Sequence, residues 1–210
     1  MAVTYDSVGA GVLNSTGWSH TPVGTINYVV VCILTSSSTP PSAPTYGGVT
    51  MTGFGSSFGG TAGADPDRWG HAFWLGSNVP QGTQTVSFGV SVVRGNSIAF
   101  NNAADTAPTL KVDSAEESDG SITVTMTGTV GVSGICVNFC INGGSGGASF
   151  TSGQTEVWDA ENANHGLALA YEQMNETNPA FTVTTSAEAA ALTAFFISGL
   201  AAGNQVMWWW

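Results

Sequence analysis

Apolar and polar residues alternate along most of this chain with a period of two, the spacing that turns apolar side chains to one face of a β-strand. Residues 84–93 are the clearest case: Val86, Phe88, Val90 and Val92 alternate with Ser87, Gly89 and Ser91. In residues 135–141, Ile135, Val137, Phe139 and Ile141 share one face, and Cys136, Asn138 and Cys140 share the other. Val137 and Phe139 are therefore expected to point into a core. Trp69–Leu75 sets Trp69, His71, Phe73 and Leu75 against Ala72 and Trp74. Residues 28–34 break the alternation with a continuous apolar run, Tyr-Val-Val-Val-Cys-Ile-Leu. Such a strand is covered on both faces, or meets a partner with one of them. Further strands are expected at 4–8 or 12–13, 18–21, 97–101, 121–129, 154–158, 166–173, 180–185 and 192–197.

Turn chemistry separates these runs. Gly47-Gly48 interrupts Tyr46-Gly-Gly-Val49-Thr50-Met51-Thr52 and predicts a tight hairpin, because glycine enters φ > 0 without steric cost. Pro80-Gln81-Gly82 predicts a second turn, 143–147 (Gly-Gly-Ser-Gly-Gly) a flexible one, and 113–120 an acidic one. Residues 53–68 form a long glycine-rich connection, the kind that is often functional. Residues 186–194 carry a conflict: Ala187, Ala189, Ala190 and Ala191 favour helix, whereas Phe195, Phe196 and Ile197 favour strand. A polar turn or short helical piece followed by a closing strand reconciles them. More than eight short strands without a long amphipathic helix predict an all-β antiparallel sandwich, one domain over residues 1–200.

Composition narrows the function. Of 210 residues, 42% are hydrophobic and 8% charged, with 14 acidic against 3 basic side chains and a net charge of −11. A globular domain ordinarily carries about 25% charged residues. A surface so poor in charge suits a chain packed against other chains. Arg68, Arg94 and Lys111 form no basic cluster, so neither nucleic acid nor an anionic membrane is an expected partner. No apolar run reaches the roughly 18–20 residues of a transmembrane helix. Residues 1–11 lack the basic and apolar segments of a Sec-type signal peptide, so release by lysis is expected.

The candidate chemistry is sparse. Gly143-Gly144-Ser145-Gly146-Gly147, followed by Asp159 and His165, spells a G-x-S-x-G hydrolase order. A nucleophile elbow needs a helix directly after the serine, and residues 148–153 have no helical pattern. The segment reads as a turn and no catalytic residue is expected. His20, His71 and His165 have no metal-ligand spacing. Asp113, Glu116, Glu117 and Asp119, like Asp65 and Asp67, offer oxygen but lack the arrangement of a calcium loop. Neither metal nor cofactor is expected. Cys136 and Cys140, about 13 Å apart in a strand, cannot pair with each other. Cys32 pairs with one of them only if their strands are neighbours, and buried thiols are expected. Trp158, beside Asp159 and Asn162, is the expected exposed tryptophan and the candidate for stacking on a sugar ring.

Taken in order, these segments resemble a β-sandwich module of tailed-phage structural proteins and bacterial surface proteins. The resemblance is carried by residues 28–34, Tyr46–Thr52, Phe73-Trp74-Leu75, residues 78–86, Asp105-Thr106-Ala107-Pro108, residues 134–138, residues 154–158 and the pair 180–185 and 192–197. It implies a jelly-roll-like or lectin-like sandwich with no catalytic residues to carry over. It also implies a virion component, assembled in the host cytoplasm as a homo-oligomer or with other virion proteins. Head decoration and tail component both fit, and a carbohydrate-binding or host-recognition module is the alternative. Residues 201–210 fall outside the sandwich pattern as a short hydrophobic tail. Its Met207, Trp208, Trp209 and Trp210 cannot all face one core if the segment is extended, so they are the expected interface residues.

Overall fold

The structure, a computed structural model, describes residues 1–54, 69–116, 120–125, 133–143, 148–150, 153–161, 165–173, 177–185 and 189–200. The period-two runs become antiparallel strands, and there is no helix among the described residues. The fold is all-β and sandwich-like. β1 (Thr4–Val8), β2 (Val12–His20), β3 (Tyr28–Thr35), β4 (Thr45–Tyr46), β5 (Val49–Thr50), β6 (Thr52–Gly53), β7 (Trp69–Leu75) and β8 (Gln84–Asn101) make one eight-stranded sheet. β9 (Thr109–Glu116), β11 (Ile135–Gly143), β13 (Thr155–Glu161), β14 (His165–Glu172) and β16 (Ala189–Ile197) make a five-stranded sheet. β10 (Gly120–Thr125), β12 (Ala148–Phe150) and β15 (Ala180–Thr185) make a three-stranded one.

The first sheet curls until it nearly closes. Its order is β5-β4-β8-β3-β7-β6, and Met51 alone joins β5 to β6. One buried cluster fills the interior, with Val29, Val31 and Ile33 from β3, Phe73 and Leu75 from β7, and Tyr46 and Met51 from the hairpin. The opposite face of β3 carries Tyr28, Val30, Cys32 and Leu34 into a second cluster, shared with the five-stranded sheet. The unbroken apolar run of β3 therefore has both faces covered inside its own chain.

β8 is one strand of 18 residues, where the sequence predicted two, 84–93 and 97–101. The polar break Arg94-Gly95-Asn96 stays extended because it is laddered on both sides: Ile33 opposes Gly95 and Cys32 opposes Asn96 on β3, and Val12 opposes Gly95 on β2. Neighbouring strands override local propensity here. The ladder to β2 then skips: Ser15 opposes Val92 and Gly17 opposes Ser87. Thr16 thus faces four residues, Phe88 to Ser91, an irregularity larger than an ordinary one-residue bulge. Phe88 and Val92 still turn inward, and Val90 is pushed out, 53% exposed.

The five-stranded sheet is the middle layer. Val137 pairs with Tyr171 and Phe195, and these meet the first sheet and its β6 end: Tyr171 stacks on Tyr5 at 4.7 Å, and Phe195 packs at a tilt on Phe54, just past β6, at 4.7 Å. The other face of β11 looks to the three-stranded sheet, where Asn138 Nδ2 donates to Gln154 Oε1 and Gln154 Nε2 donates to the Thr182 carbonyl. Val137 and Phe139 are fully buried, as their alternation predicts. Three segments differ from the sequence reading. Asp113 to Glu116, expected in an acidic turn, lie in β9 and pair with β16. Residues 148–150, to which the sequence assigns no element, form β12. Ala189, Ala190 and Ala191 start β16 rather than a helical turn, because β11 and β9 pair with it on either side. Alanine's helix preference amounts to only a few tenths of a kcal/mol per residue over most competitors.

The Gly47-Gly48 hairpin forms as predicted. Both glycines have positive φ, +57° and +84°, the mirror-image turn that matches the twist of paired strands. A side chain at Gly47 would run into Gln84 Oε1 and, at 2.9 Å, Pro80 Cβ, whereas nothing lies within 4 Å of one at Gly48. Gly48→Ala is expected to cost about 1–2 kcal/mol of backbone strain alone. Gly47→Ala carries the same strain plus the collision and should lose more. Urea midpoints of the two variants check the order, and equal midpoints would remove the collision from the account.

Candidate functional site

A row of polar side chains, buried at Ser7, Trp18, His20 and Ser97 and partly open at Asp6, occupies the corner where β1, β2 and β8 meet. The β1–β8 ladder slips between Tyr5 and Ser7, which releases Asp6 from regular pairing. Its carboxylate accepts the backbone N–H groups of Val23 at 2.9 Å and Gly24 at 2.8 Å, pinning the turn after β2. Ser7 Oγ donates to Asp6 at 2.7 Å, so it must accept from His20 Nε2 at 3.0 Å. That makes Nε2 the protonated nitrogen of a neutral ring and leaves Nδ1 to accept from Ser97 Oγ at 2.9 Å. Ser97 in turn accepts from Trp18 Nε1 at 3.0 Å. Every donor in the row points the same way, from the indole to the carboxylate.

The electrostatics agree with this assignment. Burial pushes the His20 imidazole down to about 4, against the opposing pull of Asp6. Burial pushes the Asp6 carboxyl up, but hydrogen bonds from Ser7, Val23, Gly24 and Asn101 outweigh it and hold the group below its ordinary value. The set contains serine, histidine and aspartate, yet it braces the fold. Ser97 is fully buried, and Gly9 passes so close that a Cβ there would stand 2.5 Å from its hydroxyl. The Ser7 hydrogen is turned toward Asp6, away from the histidine that would have to accept it in nucleophile activation.

On the middle sheet Trp158 is half-buried rather than the exposed platform expected from its acidic neighbours. It packs on the core shared by the two larger sheets, and its ring lies against Gly11, where a Cβ would come within 2.9 Å of Cε2. Asp159 Oδ2 accepts the backbone N–H of Ala148 at 3.2 Å, and Glu156 accepts that of Phe150. The two carboxylates of the β13 edge thus stitch β12 onto it. Burial, then the charge of Asp159, raises the Glu156 carboxyl above its ordinary value. Asn162 lies outside the described residues, as do Met207, Trp208, Trp209 and Trp210.

Of the G-x-S-x-G segment, Gly143 alone is among the described residues. Gly143 faces His165 across β11 and β14, Asp159 faces Ala168, and Ser145 lies outside the described residues. His71, opposite Ile33 on β3, donates from Nε2 to the Ser37 carbonyl at 3.0 Å. Among the described residues no three His, Cys, Asp or Glu side chains stand close enough to hold a metal ion. Asp65, Asp67, Glu117 and Asp119 fall outside them. All three cysteines are buried thiols. Cys32 lies in the layer between the two larger sheets, and Cys136 and Cys140 are on the far face of β11. Burial, then Asp159, pushes the Cys140 thiol up to about 12.

A concave feature stands at the end of the curled sheet. A hollow of about 200 Å³ lies between the segment after β3 and the extra residues of β8. Thr35, Thr39, Pro41, Val90, Ser91 and Val93 line it. His71 fixes its rim through Ser37, whose carbonyl also accepts from Thr35 Oγ1 at 2.9 Å. Sequence reasoning misses both this hollow and the His20 corner. Val90 reads as one more inward position of a clean alternation, and nothing in the spacing of Asp6, His20 and Ser97 brings them together. Comparison with known proteins adds no assignment: no protein family matches the sequence, and neither a curated protein nor a solved structure does.

Proposed function

We propose that this protein is a non-enzymatic structural component of a phage particle, a head decoration or tail protein, and acts by packing against other chains. The observation that carries the reading is the surface. Only 3 of 210 residues are basic and one of them, Arg94, is buried, while the apolar side chains of Leu13, Val23 and Val90 stand exposed. A surface so poor in charge suits a chain packed against other chains. Met207, Trp208, Trp209 and Trp210 extend the apolar supply, and the resemblance to phage and surface-protein sandwiches supports the same reading. Homo-oligomers or other virion proteins are the partners, and the virion is the location. Mass photometry of the full chain, alone and with particles, tests this. Oligomers or particle binding are expected; a lone monomer with no affinity for particles sinks the reading. A second reading, glycan contact, draws on the half-open Trp158 ring beside Asp159. A glycan-array signal lost in Trp158→Ala would shift the assignment to it.

A further inference from the structure

We infer that the hollow beside Val90 is the socket for the 201–210 segment of a neighbouring copy, which seats one of Trp208, Trp209 and Trp210 there. The inference rests on the packing reading above and names its partner surface. The hollow, about 200 Å³, is smaller than the roughly 300–1,000 Å³ that takes a drug-sized ligand, and suits a single large side chain. Its lining is neutral, with Val90, Val93 and Pro41 for the ring and the hydroxyls of Thr35, Thr39 and Ser91 within the same wall for an indole N–H. The segment 201–210 likewise carries no charged side chain. Val90 is held outward by three extra residues of β8, an arrangement that leaves an aliphatic side chain in water unless something covers it.

Placement decides for a second copy. Leu200, where the segment begins, is fixed at one end of the curled sheet: its N–H donates to the Asn102 carbonyl at 2.9 Å, and its carbonyl accepts from the Met1 amino group at 2.9 Å. Asn102 follows β8 directly beyond the Tyr28–Phe100 pair. The hollow is at the other end, beside Thr35. Seven residue steps of β3 separate the two ends, about 23 Å. A tryptophan eight to ten residues past Leu200 has a reach of at most about 26–36 Å, and only along a straight path. To fill its own hollow the segment would have to cross the curved sheet in a largely extended form, whereas a neighbour's hollow can be brought to it. A plug at one end and a socket at the other make a head-to-tail contact, which propagates into rings or filaments.

Two variants and their mixture test this by mass photometry over a concentration series. One is truncated after Gly203 and keeps the socket. The other, Val90→Glu, keeps the segment and alters an exposed side chain. The full chain should assemble with concentration, each variant alone should associate at least tenfold more weakly, and the mixture should form dimers of one copy of each and nothing larger. If both variants are weakened but their mixture stays monomeric, the plug does not enter this socket. If Val90→Glu assembles like the full chain while the truncated form does not, the hollow is the wrong surface and the packing reading stands. Normal assembly of the truncated chain overturns the inference and the interface role of Met207–Trp210 together. A full chain that stays monomeric at every concentration overturns it as well, by pointing to a segment folded onto its own copy.

Discussion

Replacing Phe139 by alanine will cost the fold about 3–5 kcal/mol, the range for emptying a packed aromatic site. The residue is fully buried at the centre of β11, itself the central strand of the middle sheet. Leu169 on β14 and Thr193 on β16 stand opposite it, both buried, so few side chains are placed to collapse into the space. In a chain of this size each kcal/mol moves the midpoint of thermal unfolding by about 2–4 °C, so a fall of roughly 6–20 °C is expected. Val90→Ala, on an exposed side chain, should stay within about 0.5 kcal/mol. A Phe139→Ala loss below about 1 kcal/mol would mean that the face carrying residues 135, 137, 139 and 141 is not packed against the first sheet.

Acid should weaken the fold through one histidine. The folded pKa of His20, about 4, lies below the ordinary imidazole value of about 6.5 that the unfolded chain regains. Above pH 6.5 the ring is neutral in both states and its contribution is fully present. Between pH 6.5 and 4 the unfolded chain takes up a proton that the folded chain refuses, so stability falls as pH falls, by about 3 kcal/mol in all. Protonation would also set a second donor against Ser97, which already accepts from Trp18. The carboxyl of Asp6, held low when folded, adds a further loss at still lower pH with the same sign. Urea midpoints at pH 7, 5.5 and 4.5 should show the fall, and His20→Gln, though weaker at pH 7, should show a markedly flatter one. An unchanged slope in His20→Gln would assign the acid sensitivity elsewhere.

The strands of the core were legible because their cause is local. Residues 135–141 carry their faces in the alternation of side chains and residues 28–34 in an unbroken apolar run, and both appear in the fold buried as those patterns require. The Gly47-Gly48 turn was legible for the same kind of reason, since its backbone demands a residue without a Cβ. The failures share a different cause. Asp113 to Glu116 and Ala189 to Ala191 have weak strand preference, and they are strands because β9 and β16 lie against each other. Arg94, Gly95 and Asn96 read as a break and are held straight by β2 and β3.

By itself the sequence determined an all-β antiparallel chain, its principal strands, its inward faces and a surface poor in charge. All of these depend on residue type and on spacings of one or two positions. Tertiary structure alone decided that the first sheet curls on itself and that the second has both faces covered. It alone assembled Asp6, Ser7, His20, Ser97 and Trp18 into one row, and opened a hollow where Val90 is expelled. The physical reason is range. Alternation fixes which side of a strand is apolar, but the partner of that side, and the register of the ladder that reaches it, are set by residues as far apart as Trp18 and Ser97.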